Sequence, residues 1–206
     1  LGINGDSLEL ASKDGVLKFF DHTTNGRCWS VVDRMRYVRQ DRRLDGKPFV
    51  LRDESTAKAR TLGIPSWPIG VPTDKNVILL CEGSSDFLAA YSLIHAENME
   101  SMVCPVTILG ASNCLHPDVI SHFKNKYIFG FPDYDAAGIR GMTQWCKQLN
   151  NVATGIEVFD YCHLKRDDGI PIKDLRDFLR VDVDQREQST TVAYPISKFV
   201  SKIKGI

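Results

Sequence analysis

A chain of 206 residues, 43% hydrophobic and 25% charged, is long enough to bury a real core, as one large domain or two small ones. Its 26 basic and 26 acidic side chains cancel, which excludes a uniformly polyanionic or polycationic protein, and no apolar run reaches the roughly 18–20 residues of a membrane-spanning helix. No signal peptide opens the chain, so a cytoplasmic setting is expected, and a start at Leu1 rather than Met reads as a piece of something longer.

Residues 1–74 read as a basic, β-rich subdomain. Strands are expected at 16–20 and at 28–32, with the alternating charged and apolar residues 34–37 continuing the second. Asp45-Gly46 is a turn signal, and Pro65 and Pro68 hold residues 65–70 to an extended or turning path. Residues 27–60 carry ten Lys/Arg against five Asp/Glu, a local surplus of five positive charges. A boundary is expected around Pro72-Thr73-Asp74.

From residue 75 the rhythm becomes alternating strand and helix. Strand 77–81 leads to a helix near 84–97, where Phe87, Ala90, Tyr91 and Ile94 fall at i, i+3, i+4 and i+7 on one face. Strand 106–109 ends at Gly110, and Pro117 starts a short helix through Phe123. Strand 127–131, a helix near 136–149, strand 156–159 and a short helix at 174–180 follow. Residues 187–206 hold a polar stretch at 188–191, then an amphipathic helix from Pro195, as a C-terminal helix or tail. Strands separated by helices of this length predict an α/β fold with a parallel sheet flanked by helices, preceded by the small β-rich subdomain.

Chemistry gathers where strands give way to helices. Glu82-Gly83-Ser84-Ser85-Asp86 follows one apolar strand and Asp133-Tyr134-Asp135 another. In an open parallel sheet, ligands bind outside the carboxyl ends of the strands. If these strands are neighbours, four carboxylates converge and repel one another unless a cation is present, which points to Mg²⁺ or Mn²⁺. Asp174 is a candidate to complete the metal shell, whereas Asp177 reads as an ordinary helix-start residue. The six cysteines form no C-x-x-C pair and read as reduced core residues. The five histidines show no metal-ligand spacing, and His95 reads as structural.

Glu82-Gly83-x-x-Asp86, Gly110 after an apolar strand, Asp133-x-Asp135-x-x-Gly138 and Lys173-Asp174-x-x-Asp177 together resemble the Toprim domain, over roughly residues 75–180. That family includes bacterial-type primases, topoisomerases, nucleases and recombination mediators. The K-D-x-x-D stretch is similar to primases of the phage and mobile-element type, including primase-helicases. Arg34-x-Arg36 and the stretch from Lys58 through Arg60 to Gly63 are similar to the small subdomain of a primase catalytic core.

The resemblance implies a Toprim domain over residues 75–186 and metal-dependent nucleotidyl transfer that makes short RNA primers on single-stranded DNA. It implies Glu82, Asp133 and Asp135 as catalytic residues, Glu82 as general base or metal organiser. Asp86, Asp133, Asp135 and Asp174, with Glu82, would hold Mg²⁺ or Mn²⁺. Arg34, Arg36, Lys58, Arg60 and Lys173 would contact template or nucleotide. Trp29 and Trp67 are expected in the core, and Tyr134 is a candidate to stack on a base. Implied partners are single-stranded DNA, NTPs and a replicative helicase, fused or separate, and no membrane. The sequence carries no zinc-ribbon pattern and no G-x-x-x-x-G-K-[ST]. The alternatives are a metal-dependent nuclease and a non-catalytic nucleic-acid-binding module.

Overall fold

The computed structural model describes residues 3–70, 75–181 and 195–205. The boundary expected at Pro72-Thr73-Asp74 and the polar stretch at 188–191 lie outside the described residues.

Helix α1 (Gly5–Lys13) is capped by Asn4, whose side chain accepts from the Asp6 N–H at 3.0 Å. Strands β1 (Leu17–His22), β2 (Gly26–Val32), β3 (Val38–Arg43) and β6 (Arg60–Gly63) make an antiparallel sheet in the order β1-β2-β3-β6. The short β4 (Phe49–Val50) and β5 (Thr56–Ala57) pair separately. Residues 34–37 are not a strand, contrary to the alternation of the sequence. The Asp33 carboxylate accepts from the N–H groups of Met35 and Tyr37, and Arg36 sits at φ 63°. A side chain that offers the backbone a local partner competes with the ladder, so the chain turns and pairing resumes at Val38.

Strands β7 (Val77–Glu82), β8 (Val103–Ile108), β9 (Tyr127–Phe131) and β10 (Gly155–Val158) form a wholly parallel sheet in the order β10-β9-β7-β8. Helices α2 (Gly83–Ala96) and α3 (Ala136–Leu149) and the 3₁₀ turn Pro117–Phe123 flank it. The continuous apolar run of β7 has a simple reason, because successive side chains feed opposite faces. Val77, Leu79 and Cys81 join one apolar cluster with α2, while Ile78 and Leu80 join another with Met142, Trp145 and Leu149 of α3. Each fully buried leucine or isoleucine here contributes about 1.5–3 kcal/mol.

Helix α2 is buried on all sides over residues 84–94, not on one face. The cluster holding its Phe87 and Ala90 also holds Ala11 of α1 and Trp29 and Val31 of β2, so a second layer covers what periodicity leaves outward. Of the extended or turning path expected at 65–70, the structure shows a turn, closed by the Trp67 N–H donating to the Ile64 carbonyl at 2.9 Å, after which Ile69 is bridged to Thr107 on β8. The last two helices are α4 (Leu175–Phe178) and α5 (Pro195–Lys204). Helix α5 packs on the body, with Phe199 stacked on Phe129 at 4.7 Å and Glu97 accepting from the Ser197 N–H and hydroxyl. The cysteines divide: Cys28 and Cys81 are buried, whereas Cys114 and Cys162 are exposed and not core residues.

Candidate active site

Strands β7 and β9 are direct neighbours, so their two acidic ends open on one crevice. Gly83 takes φ +77° with open space around its Cα, so backbone angle rather than crowding requires glycine there. It lets the chain pass from Glu82 straight into α2, and the Thr107 hydroxyl donates to its carbonyl at 3.1 Å. The Glu82 carboxylate accepts from the Ala111 N–H at 2.9 Å, which gives the Gly110 turn its role. Burial raises the Glu82 pKa; the Ala111 N–H opposes this and Asp135 adds to it.

The two carboxylates of Asp133-x-Asp135 have opposite surroundings. Asp135 caps α3, accepting from the Ala137 and Gly138 N–H groups at 3.0 and 2.9 Å, and pairs with Lys173 at 3.1 Å. Those N–H groups and Lys173 hold its pKa below the usual range. Asp133 is pushed up to about 7, first by burial and then by Glu82 and Asp174. Gly138 starts α3 against this segment: a Cβ there would lie 2.5 Å from the Asp133 carbonyl oxygen and 2.6 Å from its Cβ. Gly138→Ala is therefore expected to displace Asp133. The outcome to look for is weakened Mn²⁺ binding by calorimetry together with a lowered Tm; unchanged metal affinity would exclude the contact.

Asp86 and Asp174 are only 6% and 5% exposed. The Tyr134 N–H donates to the Lys173 carbonyl at 2.7 Å, which draws the 173–177 segment against the Asp133 turn. Asp174 then caps α4, accepting from the Asp177 N–H at 2.9 Å. Asp177 serves the same loop, accepting from the Lys173 N–H and pairing with Arg166 at 3.1 Å.

Arg176 is the residue that sequence reasoning missed. Its guanidinium lies 2.6 Å from Asp174 and 3.7 Å from Asp86, and its N–H donates to Asp86 at 3.2 Å. Even so, burial beside Asp174 and Asp133 holds the Asp86 pKa well above its usual value. Arg42 reaches the site from β3: it donates to the Ser84 hydroxyl at 2.9 Å, and that hydroxyl donates to Gln40 at 2.6 Å. A cleft of about 520 Å³ lies between the antiparallel sheet and this edge of the cluster, lined by Trp29, Arg42, Arg43, Lys58, Ser85 and Arg176.

The cations expected to touch nucleic acid or nucleotide are not gathered in one place. Lys58 lines the cleft, and Lys173 sits at the acidic cluster. Arg34 and Arg36 line a separate groove of about 750 Å³ with Lys18, Phe20, Arg39 and Leu62. Strand register puts that groove on the sheet face opposite Trp29 and Arg42. Arg60 is occupied on that same face, bonded to the fully buried Asp41 and 4.7 Å over the Phe49 ring. Trp29 is buried, while Trp67 is half-buried between Tyr37 and His116. Tyr134 is engaged rather than open for base stacking, since its hydroxyl donates to Asp160 at 2.8 Å and its ring abuts Tyr161.

Although no three of them bring ligand oxygens within 4.8 Å of one another, Glu82, Asp86, Asp133, Asp135 and Asp174 offer the oxygen donors that suit a hard divalent cation. Without one, Glu82, Asp86 and Asp133 all have raised pKa values, so the folded state binds more protons than the unfolded chain between about pH 4 and 7. Stability from this cluster is then complete below the unfolded carboxylate range and is lost as pH rises through about 7. In chelator, Tm is expected to fall between pH 5 and 8 more steeply for the parent than for Asp133→Asn, and Mg²⁺ at pH 8 should recover the difference.

No family model matches the chain, and no curated protein matches it in sequence. Solved structures do match in fold. The crystal structure of the primase fragment of the bacteriophage T7 primase-helicase protein superposes with a TM-score of 0.53 at 16% identity. It covers 85% of this chain, which spans 64% of that fragment's length. A structure of bacteriophage T7 lagging-strand DNA polymerase interacting with primase domains bound to an RNA/DNA hybrid and dTTP matches with a TM-score of 0.52, again at 16% identity. That match covers 84% of this chain and 78% of the other. Parallel sheet, flanking helices and antiparallel subdomain are thus shared with phage primase domains.

Proposed function

We propose that this chain is a Toprim-type primase catalytic core that joins ribonucleotides into short primers on single-stranded DNA. The observation that supports the reading is the adjacency of β7 and β9, which sets Glu82 and Asp86 beside Asp133 and Asp135, with Asp174 drawn in by the Tyr134–Lys173 backbone bond and the Asp133 pKa pushed up to about 7. The fold likeness to phage primase domains supports it. In this reading residues 1–74 form the basic subdomain, 75–186 the Toprim domain and 187–206 a C-terminal helix or tail. No helix among the described residues is long and apolar enough to cross a membrane.

The five carboxylates would hold Mg²⁺ or Mn²⁺, which when bound supplies charge neutralisation for an attacking 3′-hydroxyl and a leaving pyrophosphate. Glu82 acts either as one of these ligands or as the base that accepts the hydroxyl proton: the Ala111 N–H orients one carboxylate oxygen, and in the metal-free site burial raises its pKa. Arg42, Lys58, Lys173 and Arg176 border the cluster where a triphosphate carries its charge. The groove holding Lys18, Arg34, Arg36 and Arg39 beside Phe20 has the mix of cations and an aromatic ring that single strands favour. A replicative helicase, fused or separate, would complete the machinery.

Incubation with single-stranded DNA, NTPs and Mn²⁺ tests the proposal by product. Oligoribonucleotides support it. Shortened DNA assigns the cluster to phosphodiester hydrolysis instead, and no product with intact metal binding leaves a binding module.

A further inference from the structure

Beyond β10 the chain passes through Phe159-Asp160-Tyr161-Cys162-His163-Leu164, where three side chains turn into the core and three away from it. Phe159, Tyr161 and Leu164 are buried. The Tyr161 hydroxyl donates to the Pro132 carbonyl, and the Leu164 N–H to the Tyr161 carbonyl at 3.0 Å. Asp160, Cys162 and His163 are left facing solvent, and one ligand atom of each lies within 4.8 Å of the others. Sequence spacing gave His163 no metal partner and read Cys162 as a core thiol; the turn brings both to one point with a carboxylate.

We propose that Asp160, Cys162 and His163 form a binding site for a single divalent cation of the zinc class, separate from the acidic cluster. A thiolate, an imidazole and a carboxylate are the donors such a cation takes, at about 2.3 Å for sulfur and about 2.0–2.2 Å for nitrogen and oxygen. All three side chains are exposed, so rotamer changes alone draw them in, and the fourth position stays open to water. The acidic cluster offers oxygen only, so donor softness separates the two sites: Mg²⁺ there and Zn²⁺ here.

A second feature points the same way. Asp160 is already oriented by two donors, the Tyr134 hydroxyl at 2.8 Å and the Cys162 N–H at 3.2 Å. A ligating carboxylate is held by an outer hydrogen bond in this manner at metal centres. Tyr134 also stands between Asp133 and Asp135, so an ion on Asp160 bears on the turn that carries both. Binding releases the Cys162 thiol proton to solvent and forms the sulfur–metal bond, with no change of oxidation state.

Titration of the full chain with Co²⁺ alone tests the site, because thiolate ligation gives a near-ultraviolet charge-transfer band that carboxylates do not. The expected result is a band saturating at one equivalent, removed by Zn²⁺ and persisting in excess Mg²⁺ and in Asp133→Asn. Cys162→Ser should abolish it, Cys114→Ser should keep it, and Tyr134→Phe should weaken binding by about tenfold. No band at one equivalent, or a band that survives Cys162→Ser, overturns the proposal. Both cysteines are exposed, so neither substitution opens a core cavity.

Discussion

On the proposed primase reading, Asp133→Asn is expected to lower metal-dependent nucleotide incorporation by on the order of a thousandfold while raising the stability of the metal-free protein. The activity loss follows from removing a central charge of the cluster: metal stabilisation of transition-state charge is worth several kcal/mol, and each 1.36 kcal/mol is tenfold in rate. The stability gain follows from the same charge. Asp133 is held near pH 7 by burial beside Glu82 and Asp174, so in chelator at pH 8 its ionised form opposes folding. A neutral amide removes that opposition, on the order of 1–2 kcal/mol once screening of a partly exposed group is allowed for. Primer yield against Mn²⁺ concentration, with thermal unfolding in chelator, reads both effects. A purely structural aspartate would lower both quantities, which separates the alternatives. Asp135→Asn makes a clean companion because asparagine caps a helix about as well as aspartate, so its loss of activity should come with little change in Tm.

How much of this was legible in the sequence follows from the range of the interactions involved. Glu82, Asp133 and Asp135 were visible because an apolar run ending in an acid is a local pattern, and parallel strands put their ends on one side of a sheet. Gly138 was visible as the glycine of the Asp133-x-Asp135-x-x-Gly138 pattern, although its contact with Asp133 needed coordinates. Residues 34–37 misled because alternation is the weaker signal when Asp33 bonds its own turn. Burial of α2 on every side depends on α1 and β2, dozens of residues away in sequence, so a periodicity within one helix is blind to it. The cations fared worst. Arg60 answers to the buried Asp41, a pairing across β3 and β6, while Arg42 enters the crevice only because β3 lies over α2. A charge count over 27–60 contains both and distinguishes neither.

Arg176 shows how such a cation shapes the site. The Asp86 and Asp174 carboxylates are nearly closed to water and close enough to raise the Asp86 pKa, and Arg176 contacts both. Removing one partner of a buried pair leaves a charge uncompensated, which costs about 3–5 kcal/mol in full burial. The Arg176 side chain is 36% exposed, so about 2 kcal/mol is the expected loss for Arg176→Ala, a fall in Tm of about 4–8 °C for a chain of this size. Two signatures mark the loss as electrostatic. It should shrink as pH falls toward 4, because Asp86 takes up a proton and no longer needs a partner. It should also shrink in saturating Mg²⁺, since a cation on the same carboxylates replaces the guanidinium charge. Arg176→Lys keeps the charge but not the planar fork, so it should recover only part of the stability. Urea unfolding of the three proteins at pH 5 and pH 8, with and without Mg²⁺, distinguishes these outcomes. A loss independent of pH and of Mg²⁺ would place Arg176 in packing alone, and the two buried carboxylates would then need another counter-charge.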